Sequence, residues 1–174
     1  ADRPPVVQAL LSHGADPDLP GTGGITPFMW AAVLNNSDPE QEKIALALLD
    51  AGNPDLKRRL NAHARGTGFS SLSTAILKRL IEAGCDVNER FFVSKQSPLH
   101  LLCTREEPPE RVIPLIELLI KAGADPNQLD VDGLTPLMAC NSPEIALCLM
   151  NNGANPSLRN EDGQTAYDLS LIHI

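Results

Sequence analysis

The sequence predicts a mostly α-helical solenoid in which helix–turn–helix units stack on one another and are joined by hairpin-like loops. Three observations support this prediction. A helix-ending element recurs along the chain at steps of 30 to 39 residues, a helix-starting element follows it, and the spacing between the two is nearly constant. A repeat of this length indicates a stacked array, because one helix pair cannot bury its own apolar face and needs neighbours to cover it.

Both elements are clearest in residues 121–139, KAGADPNQLDVDGLTPLMA. Gly123 follows an apolar helical run and suits the left-handed position just beyond a helix, where a Cβ atom is unfavourable. An Asp-Gly pair ending at Gly133 predicts a second turn. Thr135, which precedes a proline, predicts the N-cap of a new helix. We call the segment from the helix-ending glycine to the helix-starting Thr or Ser a finger.

The two elements recur along the chain. The helix-ending glycines are Gly14, Gly52, Gly84, Gly123 and Gly153, and the helix-starting elements lie at residues 24–32, 96–103, 133–140 and 163–170. The distance from the glycine to the Thr or Ser is 12 residues in three fingers and 13 in the finger that starts at Gly84. The finger is therefore the constant part of the repeat, whereas the loops between helices vary.

The spacing of these elements predicts where the helices of the first three units lie. Residues 4–12 form only the second helix of a first unit. The second unit starts at Thr26, and its second helix follows Asp38 after a long loop at residues 35–40. In the third unit, an apolar stripe from Leu56 to Ala64 predicts one helix.

The later helices are predicted by caps and prolines. Apolar residues from Ile76 to Ile81 predict the inner face of a helix that ends at Gly84. In the fourth unit we expect the second helix to start within one turn of Pro114, because proline disrupts a helix interior. Ser142, followed by Pro-Glu, predicts the start of the fifth unit's second helix, and a single helix ends the chain.

These elements resemble ankyrin repeats, whose pattern runs from D-x-x-G-x-T-P-L-H-x-A to L-L-x-x-G-A-D. The matching segments are GITPFMWAA, QSPLHLLC and GLTPLMAC, each preceded or followed by a helix-ending element such as AGADPN. The resemblance covers nearly the whole chain and is weakest at residues 56–73. It implies one ankyrin-repeat domain over residues 1–174, with units at 1–20 (partial), 21–55, 56–90 (degenerate), 91–128, 129–158 and 159–174 (partial). Because the chain begins inside a repeat, we expect it to be a fragment of a longer protein.

Composition excludes several classes of protein. Apolar residues make up 43% of the chain, too many for a disordered protein, and the net charge of -8 argues against a nucleic-acid partner. No apolar run approaches the length of about 20 residues that spans a membrane. The four cysteines form neither a CxxC pair nor a zinc spacing, so we expect reduced, mostly buried thiols and a cytoplasmic location. Export as an effector is the alternative.

No catalytic or cofactor motif is present. The histidines (His13, His63, His100 and His173) lack nucleophile or metal-ligand partners at a known spacing, and residues 20–24, PGTGG, lack the lysine of a phosphate-binding loop. We therefore expect no enzyme activity, no cofactor and no metal. The resemblance gives His100, in SPLH, a structural role in which it bonds neighbouring backbone.

The resemblance implies a protein–protein interaction scaffold that binds its partner through the fingers and a concave face of first helices. The candidate contact residues are finger tips and outward helix ends: Phe91, Phe92, Lys95, Arg105, Glu106, Leu129, Asp130, Leu158 and Arg159. A second candidate is basic, Lys57, Arg58 and Arg59, because residues 56–81 carry six basic and no acidic side chains. Two structural alternatives stay open: one ring of the aromatic pair folds back onto the adjoining finger, and the basic residues form a solvated helix face.

We expect a protein partner, no nucleic acid, no membrane insertion and a monomer. Two other interpretations stay open. The chain is the targeting portion of a larger enzyme or secreted effector whose catalytic part lies outside it, or it is a structural spacer with no binding surface. Trp30, on a first helix, is interpreted as packed at the edge of the inner surface, with a partner anchor as the alternative.

Overall fold

A computed structural model of the protein describes residues 3–22, 25–33, 38–52, 73–90, 93–104 and 106–170. The α-helices in these ranges are α1 Arg3–Ser12, α2 Pro27–Val33, α3 Pro39–Ala51, α4 Thr74–Glu82, α5 Pro98–Cys103, α6 Pro109–Lys121, α7 Pro143–Asn151 and α8 Ala166–Ser170. The chain divides into two compact units, unit 1 (Ala1–Cys85) and unit 2 (Asp86–Ile174), and the division falls inside the predicted 56–90 repeat. The helix predicted over residues 56–64 lies outside the described residues.

In unit 1, α3 is the central helix. It packs against α1 and α2 and contacts α4. Its start is set by Asp38, whose carboxylate accepts the Glu40 N–H at 3.0 Å, and by a proline at the first helical position. The apolar face of α3 buries Ile44 and Leu48 together with Phe28 of α2. The predicted helix start after Asp38 is confirmed.

Helix α4 has the apolar face that its sequence predicts. Ser73 caps it by accepting the Ile76 N–H at 3.2 Å, and Ile76, Leu77 and Leu80 are fully buried. Ile81, predicted to share that face, is only half-buried. On the outer side Arg79 forms ion pairs with Asp50 and Glu82. This part of the basic segment is therefore paired with carboxylates, and exposed pairs of this kind contribute little to stability.

In unit 2, α6 packs against α5 and α7. It begins at Pro109, five residues before Pro114, so the expectation that it starts within one turn of Pro114 is wrong. Pro114 lies in the second turn, where its missing N–H removes one bond, to the Glu110 carbonyl. The prolines before Glu110 favour an early start, and the burial of Val112 within the first turns favours helix there despite that loss.

The helix ends follow the predicted rule with one exception. Gly14, Gly84, Gly123 and Gly153 have φ between 85° and 97°, the left-handed conformation expected beyond a helix. Gly52 has φ −83° and ψ 165°, so α3 ends in an extended residue and the rule is wrong there. One residue separates Gly52 from the next proline, whereas two residues do so after Gly14, Gly123 and Gly153, which is consistent with this different exit.

The first helix of the fifth unit is shorter than predicted. Residues 136–139 form a single helical turn, in which the Met138 N–H bonds the Thr135 hydroxyl at 3.3 Å. Only three residues separate this turn from α7, whose N-cap Ser142 accepts the Ile145 N–H. The N-cap prediction at Thr135 is confirmed, but the helix it starts has no room to continue.

Within the described segments, none of the helices has the length and apolar character that crossing a membrane requires.

Candidate functional site

Each finger of unit 2 contains a turn that begins with an Asp or Asn. The side chain of Asp86 accepts the N–H two residues later at 2.9 Å, Asp125 does the same at 2.8 Å, and Asn155 does so at 3.0 Å. This local bond reverses the chain directly after the left-handed glycine. The base of each finger is therefore fixed by its own sequence.

The tips of two fingers are held by a second such turn. Asp130 accepts the N–H groups of Asp132 and Leu134, both at 2.9 Å, and Asn160 accepts those of Asp162 and Gln164 at 3.1 and 2.8 Å. Glycines with φ of 69° and 76° complete these turns. At Gly133 a Cβ atom would lie 3.0 Å from the Glu161 side chain, so the next finger packs closely against this tip.

Neighbouring fingers are joined by asparagine side chains. The Asn88 amide donates to the Gly123 carbonyl and accepts the Asp125 N–H, both at 2.8 Å. Asn127 makes the same two bonds to the following finger, to the Gly153 carbonyl at 3.0 Å and from the Asn155 N–H at 2.8 Å. We call each of these two-bond contacts an amide clamp. The clamps fix the position of each finger relative to the next.

His100 forms a buried link between the same repeats. Its Nδ1 accepts the Ser97 N–H at 3.1 Å, so the ring proton lies on Nε2, which donates to the Leu134 carbonyl at 3.0 Å. Burial lowers the pKa of His100; the Leu134 bond and Asp130 oppose that shift, whereas Arg90 adds to it. The predicted structural role of His100 is confirmed.

These rigid fingers expose apolar side chains at their tips. Val93 is 84% exposed, Val131 47% and Leu129 44%. The Val131 N–H donates to the Ser94 carbonyl at 2.9 Å, and Arg90 donates to the Leu129 carbonyl, so the two tips lie side by side. We call Val93, Lys95, Leu129 and Val131 the finger-tip patch.

Lys95 has an unusual backbone in this patch. Its φ is 50°, and among the described residues it is the one non-glycine with a positive φ. Such a conformation costs on the order of 1 kcal/mol and persists where neighbouring bonds impose it. Here Arg90 Nε donates to the Lys95 carbonyl at 3.2 Å. The patch is therefore held by contacts on both fingers.

The predicted contact residues lie in different surroundings in the structure. Lys95 and Leu129 lie in the finger-tip patch, and Glu106 is exposed between α5 and α6. Asp130 is 7% exposed and its carboxylate is used by the tip turn. In the next finger Leu158 is half-buried, and Arg159 is exposed and donates to the carbonyl of Gly163. The remaining candidates lie outside the described residues: Phe91, Phe92, Arg105, Lys57, Arg58 and Arg59.

Sequence reasoning missed Val131 as a surface residue. The signal was a β-branched apolar residue inside the Asp-x-Asp-Gly tip turn, where polar residues are usual. Val93 follows the aromatic pair in the sequence, but it was not among the predicted contacts.

Unit 1 contains a different feature, an apolar cleft between α1, α2 and α3 with a volume of about 330 Å³. Trp30 forms part of its wall and is 55% exposed. The other apolar residues that line the cleft include Val7, Leu10, Leu11, Ile44 and Leu48. Trp30 thus lies at the edge of an apolar surface. The alternative role of Trp30 as a partner anchor stays a prediction.

In the part of the chain that the structure describes, no three His, Cys, Asp or Glu side chains are grouped so as to hold a metal ion.

Comparison with known proteins gives consistent matches. The family described as Ankyrin repeats (3 copies) matches residues 69–160, which is more than half of the chain. Human ankyrin repeat and SOCS box protein 6 is 30% identical over a region that covers 73% of this chain and 35% of that protein. Human ankyrin repeat domain-containing protein 37 is 36% identical, covering 54% of this chain and 58% of that protein. Human Rabankyrin-5 is 30% identical over 55% of this chain and 9% of its own length.

Proposed function

Because the chain belongs to the ankyrin-repeat family, which generally serves as a protein–protein interaction module, we propose that it is a binding scaffold whose finger-tip patch contacts a partner protein. The observation that carries this proposal is the exposure of Val93, Leu129 and Val131 on adjacent fingers. Clustered apolar side chains on a surface are typical of interaction sites.

Rigidity supports the same proposal. The fingers that carry the patch are joined by the amide clamp of Asn88 and by the bond from Val131 to Ser94. A surface that is already ordered before binding loses little conformational entropy when a partner docks. The patch therefore offers apolar contact area at low entropic cost.

The composition of the patch suggests the chemistry of the partner segment. An apolar side chain would cover Val93 and Val131, and the ammonium group of Lys95 favours a nearby carboxylate. Such a central apolar contact with a charged rim is the usual arrangement of an interaction hot spot.

The experiment is affinity capture with the wild-type chain and with a Val93→Lys, Val131→Lys double variant. The change should abolish capture of the specific partner, because it replaces both exposed apolar groups by charges. Val6→Lys in α1 is the matched control, since Val6 is an exposed valine outside the patch, and it should capture as the wild type does. If the double variant retains the partner, the finger-tip patch is the wrong surface.

The alternative function is a targeting portion of a larger enzyme or effector. One observation supports it: the chain spans only 35% of ankyrin repeat and SOCS box protein 6 from human and from Pongo abelii. The names of these two proteins combine the repeats with a further element. Determining the full reading frame tests it, and a frame without a second domain would refute it. A monomeric state and a cytoplasmic location stay predictions.

A further inference from the structure

The finger tips of unit 2 share one pattern when they are aligned from the Ser or Thr that starts the following helix. Four residues before that start, the three tips have Val93, Val131 and Glu161. Two residues before it, with positive φ values of 50°, 69° and 76°, they have Lys95, Gly133 and Gly163. The shared backbone shows that these positions are equivalent. The tips are residues 93–95, 131–133 and 161–163, and together we call them the tip row.

The three tips lie next to one another. The Val131 N–H donates to the Ser94 carbonyl at 2.9 Å, which joins the first tip to the second. A Cβ atom at Gly133 would lie 3.2 Å from the Glu161 backbone nitrogen, so the third tip packs against the second. Consecutive repeats are spaced by about one helix diameter, roughly 8–10 Å, so the tip row is about 20 Å long. An extended segment of about six residues spans that distance.

The charge of the tip row changes sign from one end to the other. Lys95 makes the first tip positive, and Asp132 makes the second tip negative. The third tip is the most acidic, with Glu161 and Asp162 adjacent in the sequence. All four side chains are exposed, and the ion pairs found within the described part of the chain involve none of them. Their charges are therefore available to a partner.

Two arginines near the tip row are held by backbone carbonyls. Arg90 donates to the carbonyls of Lys95 and Leu129, and Arg159 donates to the carbonyl of Gly163. These bonds hold both guanidinium groups against the finger backbone. With the two arginines included, the first tip stays positive and the third tip, which has two carboxylates, stays negative. The order of charges along the tip row therefore holds.

The backbone of Lys95 is an independent sign that the first tip is a binding position. Lys95 stands where the other two tips have glycine, and glycine adopts this positive φ with less strain than lysine does. Strained residues other than glycine cluster at functional sites. A lysine at this position therefore indicates a use for its charge.

We propose that the finger-tip patch continues along the tip row and binds an extended segment of a partner protein in which acidic, apolar and basic side chains follow one another. The acidic side chain pairs with Lys95, and apolar side chains cover Val93 and Val131. The basic side chain pairs with Glu161 and Asp162. This inference rests on the proposed function of the patch and adds the order of charges in the segment that it recognises. Complementary charges of this kind fix the register of a partner more than they raise its affinity.

The first experiment selects peptides of about 12 residues, twice the length that the tip row needs, from a random library displayed on phage. The immobilised target is the full chain. We expect an enriched motif in which acidic, apolar and basic residues appear in one fixed order within about six positions. A selection without an enriched motif, or a motif without that order of charges, would overturn this inference.

The Val93→Lys, Val131→Lys double variant separates this inference from the proposed function. If the enriched peptides lack the order of charges but no longer bind the double variant, the patch is a binding site and only this inference fails. If the double variant binds the peptides as the wild type does, they contact another surface, and this inference and the proposed function both fail.

A second experiment measures the affinity of one enriched peptide for charge variants by fluorescence anisotropy. Lys95→Glu and Glu161→Lys should each weaken binding by about 3- to 10-fold, because each brings like charges together. Replacing the acidic residue of the peptide by lysine should restore binding to Lys95→Glu but not to Glu161→Lys. Replacing its basic residue by glutamate should do the reverse.

Glu117→Lys is the matched control for these charge changes. Glu117 is an exposed glutamate of α6 outside the fingers, so this variant should bind the peptide as the wild type does. Unchanged affinity in Lys95→Glu and Glu161→Lys, or restoration of both by the same altered peptide, would contradict the order of charges.

A third measurement uses Lys95→Gly, which removes the charge and relieves the strained backbone at once. The midpoint of thermal unfolding should rise by about 1–2 °C, because glycine suits this φ. The affinity for the peptide should nevertheless fall by about 3-fold. A variant that gains stability and keeps full affinity would show that Lys95 does not contact the segment.

Discussion

The finger that begins at Gly14 in unit 1 and the finger that begins at Gly123 in unit 2 share the same base but differ two residues further on. Both glycines are left-handed, and both following Asp side chains, Asp16 and Asp125, accept an N–H at 2.9 and 2.8 Å. Four residues after the glycine, unit 1 has Asp18 and unit 2 has Asn127. A carboxylate accepts hydrogen bonds but cannot donate them, so Asp18 cannot form an amide clamp.

Separate residues encode the turn and its connection to the next repeat. The turn needs only a left-handed glycine and an oxygen acceptor, which every described copy of the element from Gly14, Gly84, Gly123 and Gly153 has. The connection needs a donor and an acceptor on one side chain, and the amides of Asn88 and Asn127 supply both. Unit 2 adds the buried His100 link, whereas His13 of unit 1 is exposed.

Among the variants that distinguish the two units, His100→Ala is expected to have the largest effect on the free energy of unfolding. It removes the bonds to Ser97 and Leu134 and leaves a cavity, so the free energy of unfolding should fall by about 3 kcal/mol. His13→Ala is the matched control, because His13 is exposed and bonds the Ala9 carbonyl of the preceding helix, and it should cost less than about 0.5 kcal/mol. Denaturant unfolding followed by circular dichroism measures both. Equal losses of stability in the two variants would contradict the difference between the two units.

The same variant has a pH signature. Burial lowers the pKa of His100, so the unfolded chain, whose histidine titrates near pH 6.5, binds the proton more readily than the folded chain. The wild type therefore loses stability as the pH falls below about 6.5, and a chain without the imidazole lacks this contribution. The difference between wild type and His100→Ala should shrink between pH of about 7 and 5. A constant difference would show that His100 is not held neutral by burial.

A second, smaller effect is expected at the helix-ending glycines. Gly123→Ala forces a Cβ atom into a φ of 97° with no atom within 4 Å, so its cost is conformational, about 1–2 kcal/mol. Gly52→Ala, at the corresponding position of unit 1, has a φ of −83° that alanine adopts readily, and should change the free energy of unfolding by less than about 0.5 kcal/mol. Thermal unfolding of both variants decides this. A larger loss of stability in Gly52→Ala than in Gly123→Ala would contradict this difference between the two helix ends.

The smallest effect is expected from converting a clamp amide to a carboxylate. Asn127→Asp removes the donor to the Gly153 carbonyl and should cost about 1 kcal/mol. Asn155→Asp makes the same chemical change where the side chain only accepts a turn N–H, as Asp125 does, and should be nearly neutral. Hydrogen exchange of the Asn155 backbone N–H, which donates to the Asn127 side chain, provides a local measurement. Similar losses in the two variants would show that charge, not the donor, is responsible.

Much of the fold was predictable because its signals are local. The N-caps at Asp38 and Ser142 and the left-handed glycines act within one turn, so neighbouring residues determine them. The start of α6 was not predictable in this way, because the burial of Val112 against other helices offsets the bond lost at Pro114. Local rules alone place Pro114 near the helix start.

The candidate site was less predictable, because exposure depends on packing between fingers. Leu129 and Asp130 are adjacent in sequence, yet one is exposed and the other is buried by its own tip turn. Lys95 is predicted as a tip residue, but its positive φ accompanies a bond from Arg90 that the sequence does not display.

The amide clamp also has a consequence for how such a chain can change in length. Asn88 and Asn127 bind equivalent backbone atoms of the following finger, a glycine carbonyl and the N–H two residues later. Each repeat therefore presents to its successor the same connection that it receives from its predecessor. A whole repeat cut at this boundary can be duplicated or deleted without redesigning the junction, so insertion and loss of complete modules is the change that this architecture tolerates best.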